Sequence, residues 1–210
     1  MDKFESVQYR ISIALKVMMG ALVLISAFRQ ELFLTSASLV VLFFSFLPTI
    51  VSKNYRIRLP IEIDFIVTLL LYLHFVLGEY NHFYVKIAWW DIFLHFGNSL
   101  ILGFLGFILA YSLLLTSKMS TKPILASLFA LSFSVFIGVI WEIFEFFMDY
   151  LFGFTMQKSG IVDTMTDLMM DTIGAGVVSL AGFFYMKKKK MGLFSRIIKR
   201  FIEHKYKIEE

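Results

Sequence analysis

The chain has 210 residues, of which 59% are hydrophobic, 18% aromatic and 17% charged; its formal net charge is +4 and it has no cysteine. An average soluble chain is roughly 45–50% apolar with about 25% charged residues, so a soluble globular domain is excluded and an all-α, polytopic helical membrane bundle is expected. Disulfides, thiolate metal sites and cysteine nucleophiles are excluded with the cysteines, and the basic surplus is no nucleic-acid signature, because nine of the twenty Lys and Arg residues follow Met186.

Apolar runs of about membrane-spanning length occur near residues 11–28, 32–51, 61–78, 92–115, 124–148 and 167–186. They predict a six-span domain over residues 1–186 and a basic amphipathic tail over 187–210. The opening MDKFESVQYR carries both charge signs and no small-residue cleavage site precedes Arg29, so the first run is expected to be a retained span. Lys16 lies inside that span and is expected to snorkel to the interface. Pro60 and Pro123 suit first helical positions, and Glu62 and Asp64 then fall in a first turn, where the helix dipole favours acids.

Six spans put both termini on one side, and the basic residues say which. The N-terminus, the loops near 52–60 and 116–123 and the tail hold 2, 3, 2 and 9 Lys or Arg; the other three loops hold only Arg29, Lys86 and Lys158. The positive-inside rule therefore predicts cytoplasmic termini in a multi-pass protein of the cell (inner) membrane. In the tail, Leu193, Phe194, Ile197, Ile198, Phe201 and Ile202 recur at helical spacing beside Arg196, Lys199 and Arg200. Such a helix suits an anionic lipid surface; a solvated or partner-packed helix is the alternative.

Residues 141–176 interrupt this oily pattern with Glu142, Glu145, Asp149, Asp163, Asp167 and Asp171. An acid at mid-bilayer costs at least about 2.5–3.5 kcal/mol on insertion scales, which makes such a cluster a candidate functional site. Asp91, His95 and Asn98 share one face of span four, Glu142, Glu145 and Asp149 one face of span five, and Asp163, Asp167 and Asp171 one face of span six. With the orientation above, these residues, with His74 and Glu79 at the end of span three, all lie in the outer half of the membrane, and the inner half has no comparable set. Trp89, Trp90, Tyr80, Tyr84 and Tyr150 fit an outer aromatic belt. Gly103, Gly106, Gly174, Gly176 and Gly182 are expected at close helix contacts.

Two readings of the cluster stay open. It is either a hydrogen-bonded network that fixes helix packing or a site for one divalent metal ion. Oxygen ligands suit Mg2+, Mn2+ or Ca2+, and one imidazole tilts the choice toward Mn2+, Fe2+ or Zn2+. On the second reading His95, Glu142, Glu145 and Asp171, the deeper members, are the metal ligands. Asp91, Asp163 and Asp167 then orient ligands or meet substrate as catalytic residues. Asp149 is expected at a solvated helix end, His74 as a satisfied core histidine, His82 at the surface and His204 outside the site.

The sequence WWDIFLHF, then WEIFEF, then VDTMTDLMMDTIGAG resembles the YjdF-like bacterial inner-membrane proteins, a largely uncharacterised family, over spans three to six. The matching positions are Asp91, His95, Glu142, Glu145, Asp163, Thr164 and Asp167 before Gly174. The last stretch is also similar to VanZ-like proteins of the bacterial envelope. Three functions follow as expectations. One is a metal-assisted hydrolase or transferase on a lipid-linked or phosphate-bearing envelope substrate. Another is a small proton- or cation-coupled transporter. The third is a non-enzymatic envelope protein whose acids are structural.

Overall fold

The computed structural model describes residues 3–54, 61–116 and 122–188. The tail expected over 187–210 therefore lies, beyond its first two residues, outside the described residues, as does His204. All described regular structure is helical, in two compact units, one formed by residues up to Ala88 and one beginning at Trp89.

The first unit comprises α1 (Lys3–Phe28), α2 (Leu32–Ser45), α3 (Leu47–Asn54), α4 (Ile61–Leu71), a π-helical continuation of α4 (Tyr72–Tyr80) and the short α5 (Phe83–Lys86). Met19, Leu22 and Val76 form its apolar core, with Val41, Leu42, Tyr72, Phe75 and Tyr80 packed around them. The buried hydroxyls of Ser26, Ser38 and Ser45 donate to carbonyls three residues back, at 3.0, 3.0 and 2.6 Å, which satisfies them without water.

Among the described residues, five helical stretches are long and apolar enough to cross a membrane: Lys3–Phe28, Ile61–Tyr80, Trp90–Tyr111, Pro123–Phe152 and Ile161–Lys188. The run at 32–51 instead forms helices of 14 and 8 residues that break at Phe46 (φ −90°, ψ −6°). Pro48 explains the break, since it has no N–H to bond the carbonyl one turn back and its ring crowds that turn. Lys16 is paired within the fold. Its ammonium donates to Asp64 Oδ1 at 2.7 Å, with the two side chains 10% and 21% exposed. Ser12 Oγ donates to the other oxygen of Asp64 at 2.5 Å, and Thr49 Oγ1 reaches Oδ1 at 3.3 Å.

Among the described residues the second unit is a three-helix bundle of α6 (Trp90–Thr116), α7 (Pro123–Phe152) and α8 (Ile161–Lys188), each packed on the other two. At 27, 30 and 28 residues and about 1.5 Å per residue, each exceeds a hydrocarbon core of about 30 Å. Its apolar pattern is the reverse of a soluble bundle. Along α7 the buried residues are Ala126, Ser127, Ala130, Ser134, Gly138, Glu142 and Glu145, while Phe136, Ile140, Ile143, Phe144, Phe146 and Phe147 are exposed. Small side chains inside and large apolar ones outside suit helices that associate by close packing within lipid.

That seam sets how near the helices come. A Cβ at Gly138 would collide with the Asp171 carboxylate, and one at Gly174 with Ser99 Oγ and the Phe96 carbonyl. Ser134 Oγ ties α7 to α6 by donating to the Ser99 carbonyl at 2.9 Å, and Ser179 Oγ ties α8 to α7 by donating to the Ser127 carbonyl at 2.7 Å. The same faces that carry these small residues carry the acids one to three turns further on.

Candidate functional site

All seven of the sequence-nominated site residues fall in the second unit, at the end where α6 begins, α7 finishes and α8 begins. His95 is the centre. It is 5% exposed, and its two ring nitrogens face different acids. Nδ1 is 3.4 Å from Asp171 Oδ2, whereas Nε2 is 3.8 Å from both Asp91 Oδ1 and Glu142 Oε1. One turn along α6 aligns Asp91 with His95, and the Gly138 gap on α7 gives Asp171 its place behind the ring.

The second nitrogen looks into a carboxylate pocket. One ligand atom from each of His95, Glu142 and Asp167 lies within 4.8 Å of the others, and so does one from each of Asp91, Asp163 and Asp167. The two groups share Asp167, which is 2% exposed. Glu142 is 4% exposed, and neither of its oxygens accepts a hydrogen bond of good geometry, although the Thr164 hydroxyl is close enough to bear on it. A buried ionised carboxylate without a partner is strongly unfavourable. The arrangement can hold a cation: three donors of mixed oxygen and nitrogen character converge from three helices, and Asp171 stands where a carboxylate orients a ligating histidine.

Glu145 sits one turn beyond Glu142. It is 8% exposed and accepts a hydrogen bond from Trp141 Nε1 at 2.8 Å, so it already has a donor. Asp149 is not a solvated helix end. Its oxygens accept the backbone N–H groups of Met156 and Gln157 at 2.7 and 2.9 Å, clamping the α7–α8 loop. That loop starts at Gly153 (φ 69°), whose N–H closes α7 on the Asp149 carbonyl at 3.0 Å, and ends at Gly160 (φ 62°). From it Gln157 Nε2 donates to Thr164 Oγ1 at 2.7 Å, and Lys158 Nζ donates to Asp91 Oδ2 at 3.0 Å. The Lys158 backbone N–H meets Asp163 Oδ2 at 3.1 Å.

His74 and Glu79 belong to the first unit. His74 Nδ1 pairs with the Tyr84 hydroxyl at 2.5 Å, as expected of a satisfied core histidine, and His82 is exposed in a left-handed turn (φ 58°). The residues that sequence spacing passes over are Gly138, which makes room for Asp171, and Gln157. The one available signal for the loop was its pair of bracketing glycines.

Residues 11–188 match the family described as "Predicted membrane protein (DUF2238)". An uncharacterised protein of Thermotoga maritima is 30% identical over 176 residues, a stretch covering 83% of this chain and 88% of that protein. No solved structure matches the chain. With the family match running through all the site-bearing helices, the chain belongs to this family of predicted membrane proteins.

Proposed function

We propose that the protein holds a divalent cation within the membrane on His95, Glu142 and Asp167, and uses it in a metal-assisted hydrolase or transferase reaction on a lipid-linked substrate. The observation that carries the reading is Glu142: 4% exposed, with no hydrogen bond of good geometry at either oxygen, and within 3.8 Å of His95 Nε2. A cation there would offset the cost of burying that carboxylate. Two carboxylates and one imidazole suit Mn2+, Fe2+ or Zn2+ among common ions. Asp171 is assigned to orient His95 through Nδ1 rather than to ligate, and Glu145 to close the pocket behind Glu142. A bound ion supplies polarisation of a substrate oxygen or an acidified water. Asp91, beside His95 on the more exposed side, is assigned to orient a ligand or meet substrate.

The position of the site, at one end of three long apolar helices, supports a substrate that is itself part of the bilayer. The likeness of the last span to VanZ-like envelope proteins bears in the same direction. By the distribution of Lys and Arg, the termini are assigned to the cytoplasm and the site to the opposite face of the cell membrane.

Elemental analysis of the detergent-purified chain tests this reading. Wild type is expected to retain a stoichiometric transition metal that Glu142→Ala and Asp167→Ala lose while remaining folded. A folded wild type that binds no metal when dialysed against Mn2+ or Zn2+ sinks it. One observation favours the transporter alternative: the buried Lys16–Asp64 pair adds an intramembrane charge site in the first unit. Proton-coupled flux in proteoliposomes that Asp64→Asn abolishes would support that alternative.

A further inference from the structure

The proposed ion uses one of two ligand groups that meet at Asp167. We propose that the other, Asp91, Asp163 and Asp167, is a second divalent-cation subsite, and that the ammonium of Lys158 is the resident cation that fills it until a second metal ion displaces it. The inference rests on the reading of the first group as a cation site.

Four features carry it. Ligand atoms of the three aspartates lie within 4.8 Å of one another, a spread that a single ion can bridge. Asp167 belongs to both groups, so one carboxylate with two oxygens is placed to join two ions, as in two-metal sites whose ions stand about 3.5–4 Å apart. Glu142 has no hydrogen bond of good geometry at either oxygen, and it shares a ligand group with Asp167, the carboxylate common to both subsites. Lastly, Lys158 already behaves as a cation there: Nζ is 3.0 Å from Asp91 Oδ2, and the side chain is 33% exposed, so it can leave.

Charge explains why a second ion is wanted. Asp91, Glu142, Asp163 and Asp167 face one imidazole and one ammonium, and a single divalent ion leaves the outer aspartates to Lys158. When Lys158 withdraws, a second ion takes its place on Asp91 and Asp163. The loop need not unfold, because Asp149 still holds its backbone and only the four-carbon stem must swing. The subsite would then present an ion on the more exposed side of the pocket, where the anionic part of a substrate would arrive. In two-metal centres the paired ions clamp the attacking and leaving oxygens.

The test is Mn2+ titration of the full chain in nanodiscs, read by elemental analysis and by electron paramagnetic resonance, in which paired Mn2+ ions couple. Wild type is expected to take up about one equivalent, and Lys158→Met and Lys158→Gln about two, with a coupled spectrum. Adding Asp163→Asn to Lys158→Met should remove the second equivalent and the coupling, leaving the first. One uncoupled equivalent in wild type and in both folded Lys158 variants overturns the second subsite alone. No Mn2+ in any variant overturns the first site and this one together.

Discussion

The imidazole of His95 stands between carboxylates on both ring nitrogens, with Asp171 Oδ2 3.4 Å from Nδ1 and Glu142 Oε1 3.8 Å from Nε2. The two contacts are not equivalent. Asp171 can accept a hydrogen bond from Nδ1–H, which leaves Nε2 as the lone-pair side turned toward Glu142 and Asp91.

That asymmetry predicts a graded response at Asp171. Asp171→Asn keeps a group of the same size behind His95 and should weaken Mn2+ binding about 10–100-fold, the range for outer partners of ligating histidines. Glu142→Gln removes a direct donor and should reduce binding further. Calorimetric titration of both variants checks the order. Equal losses would show that Asp171 is itself a ligand, and no loss at Asp171 would remove its orienting role.

Gly138 makes the same arrangement testable by volume. Because a Cβ there would collide with the Asp171 carboxylate, Gly138→Ala should push Asp171 off the ring and cost about 1–3 kcal/mol of stability, as overpacking does. Gly176→Ala is the control, since a Cβ at Gly176 meets nothing within 4 Å. Thermal unfolding in detergent, run with and without Mn2+, should show a lower midpoint and a smaller metal-induced rise for Gly138→Ala only.

Much of this geometry is legible in the chain, and the remainder has physical reasons for being hidden. Hydropathy and length suffice for α6, α7 and α8, and the three- and four-residue spacings put Asp91 with His95, Glu142 with Glu145, and Asp167 with Asp171 on single faces. Spacing cannot rank residues within a face. Whether Asp167 or Asp171 pairs with Nδ1 depends on how the His95 ring is turned and how near α7 comes at Gly138, and neither is local. The pairing of Lys16 with Asp64 joins residues 48 apart, so no single-helix reading shows it. The break at Phe46 did have a local cue in Pro48, masked by the unbroken apolar run around it.

The broken run makes membrane topology a sharp prediction. Helices α2 and α3 are too short to cross singly, at about 21 and about 12 Å, but end to end they reach about 34 Å. If they cross together as a kinked span, reporters at Gln30 and Asn81 fall outside the cell, and reporters at Arg56 and the C-terminus fall inside. If they do not cross, Gln30 and Arg56 report the same side. The basic residues favour the kinked span, since Lys53 lies in its last turn and Arg56 and Arg58 follow it, and cysteine labelling of single-cysteine variants decides it without background because the native chain has none.

Lys16 and Asp64 offer a prediction independent of any metal. Their 2.7 Å ion pair is mostly buried, and Ser12 and Thr49 supply Asp64 with further hydrogen bonds. Removing one partner leaves a buried charge uncompensated, a loss of about 3–5 kcal/mol for pairs of this kind, whereas replacing both by apolar residues of similar size is often neutral. Lys16→Met and Asp64→Leu should each lower the unfolding midpoint strongly, and the double variant should recover most of the loss. A double-mutant cycle in detergent measures the coupling. If the double variant is as unstable as the sum of the singles, the pair is not coupled, and the cost of each change lies in the packing of α1 against α4 and of Phe46 against the Lys16 ammonium, which is 5.0 Å from the ring centre.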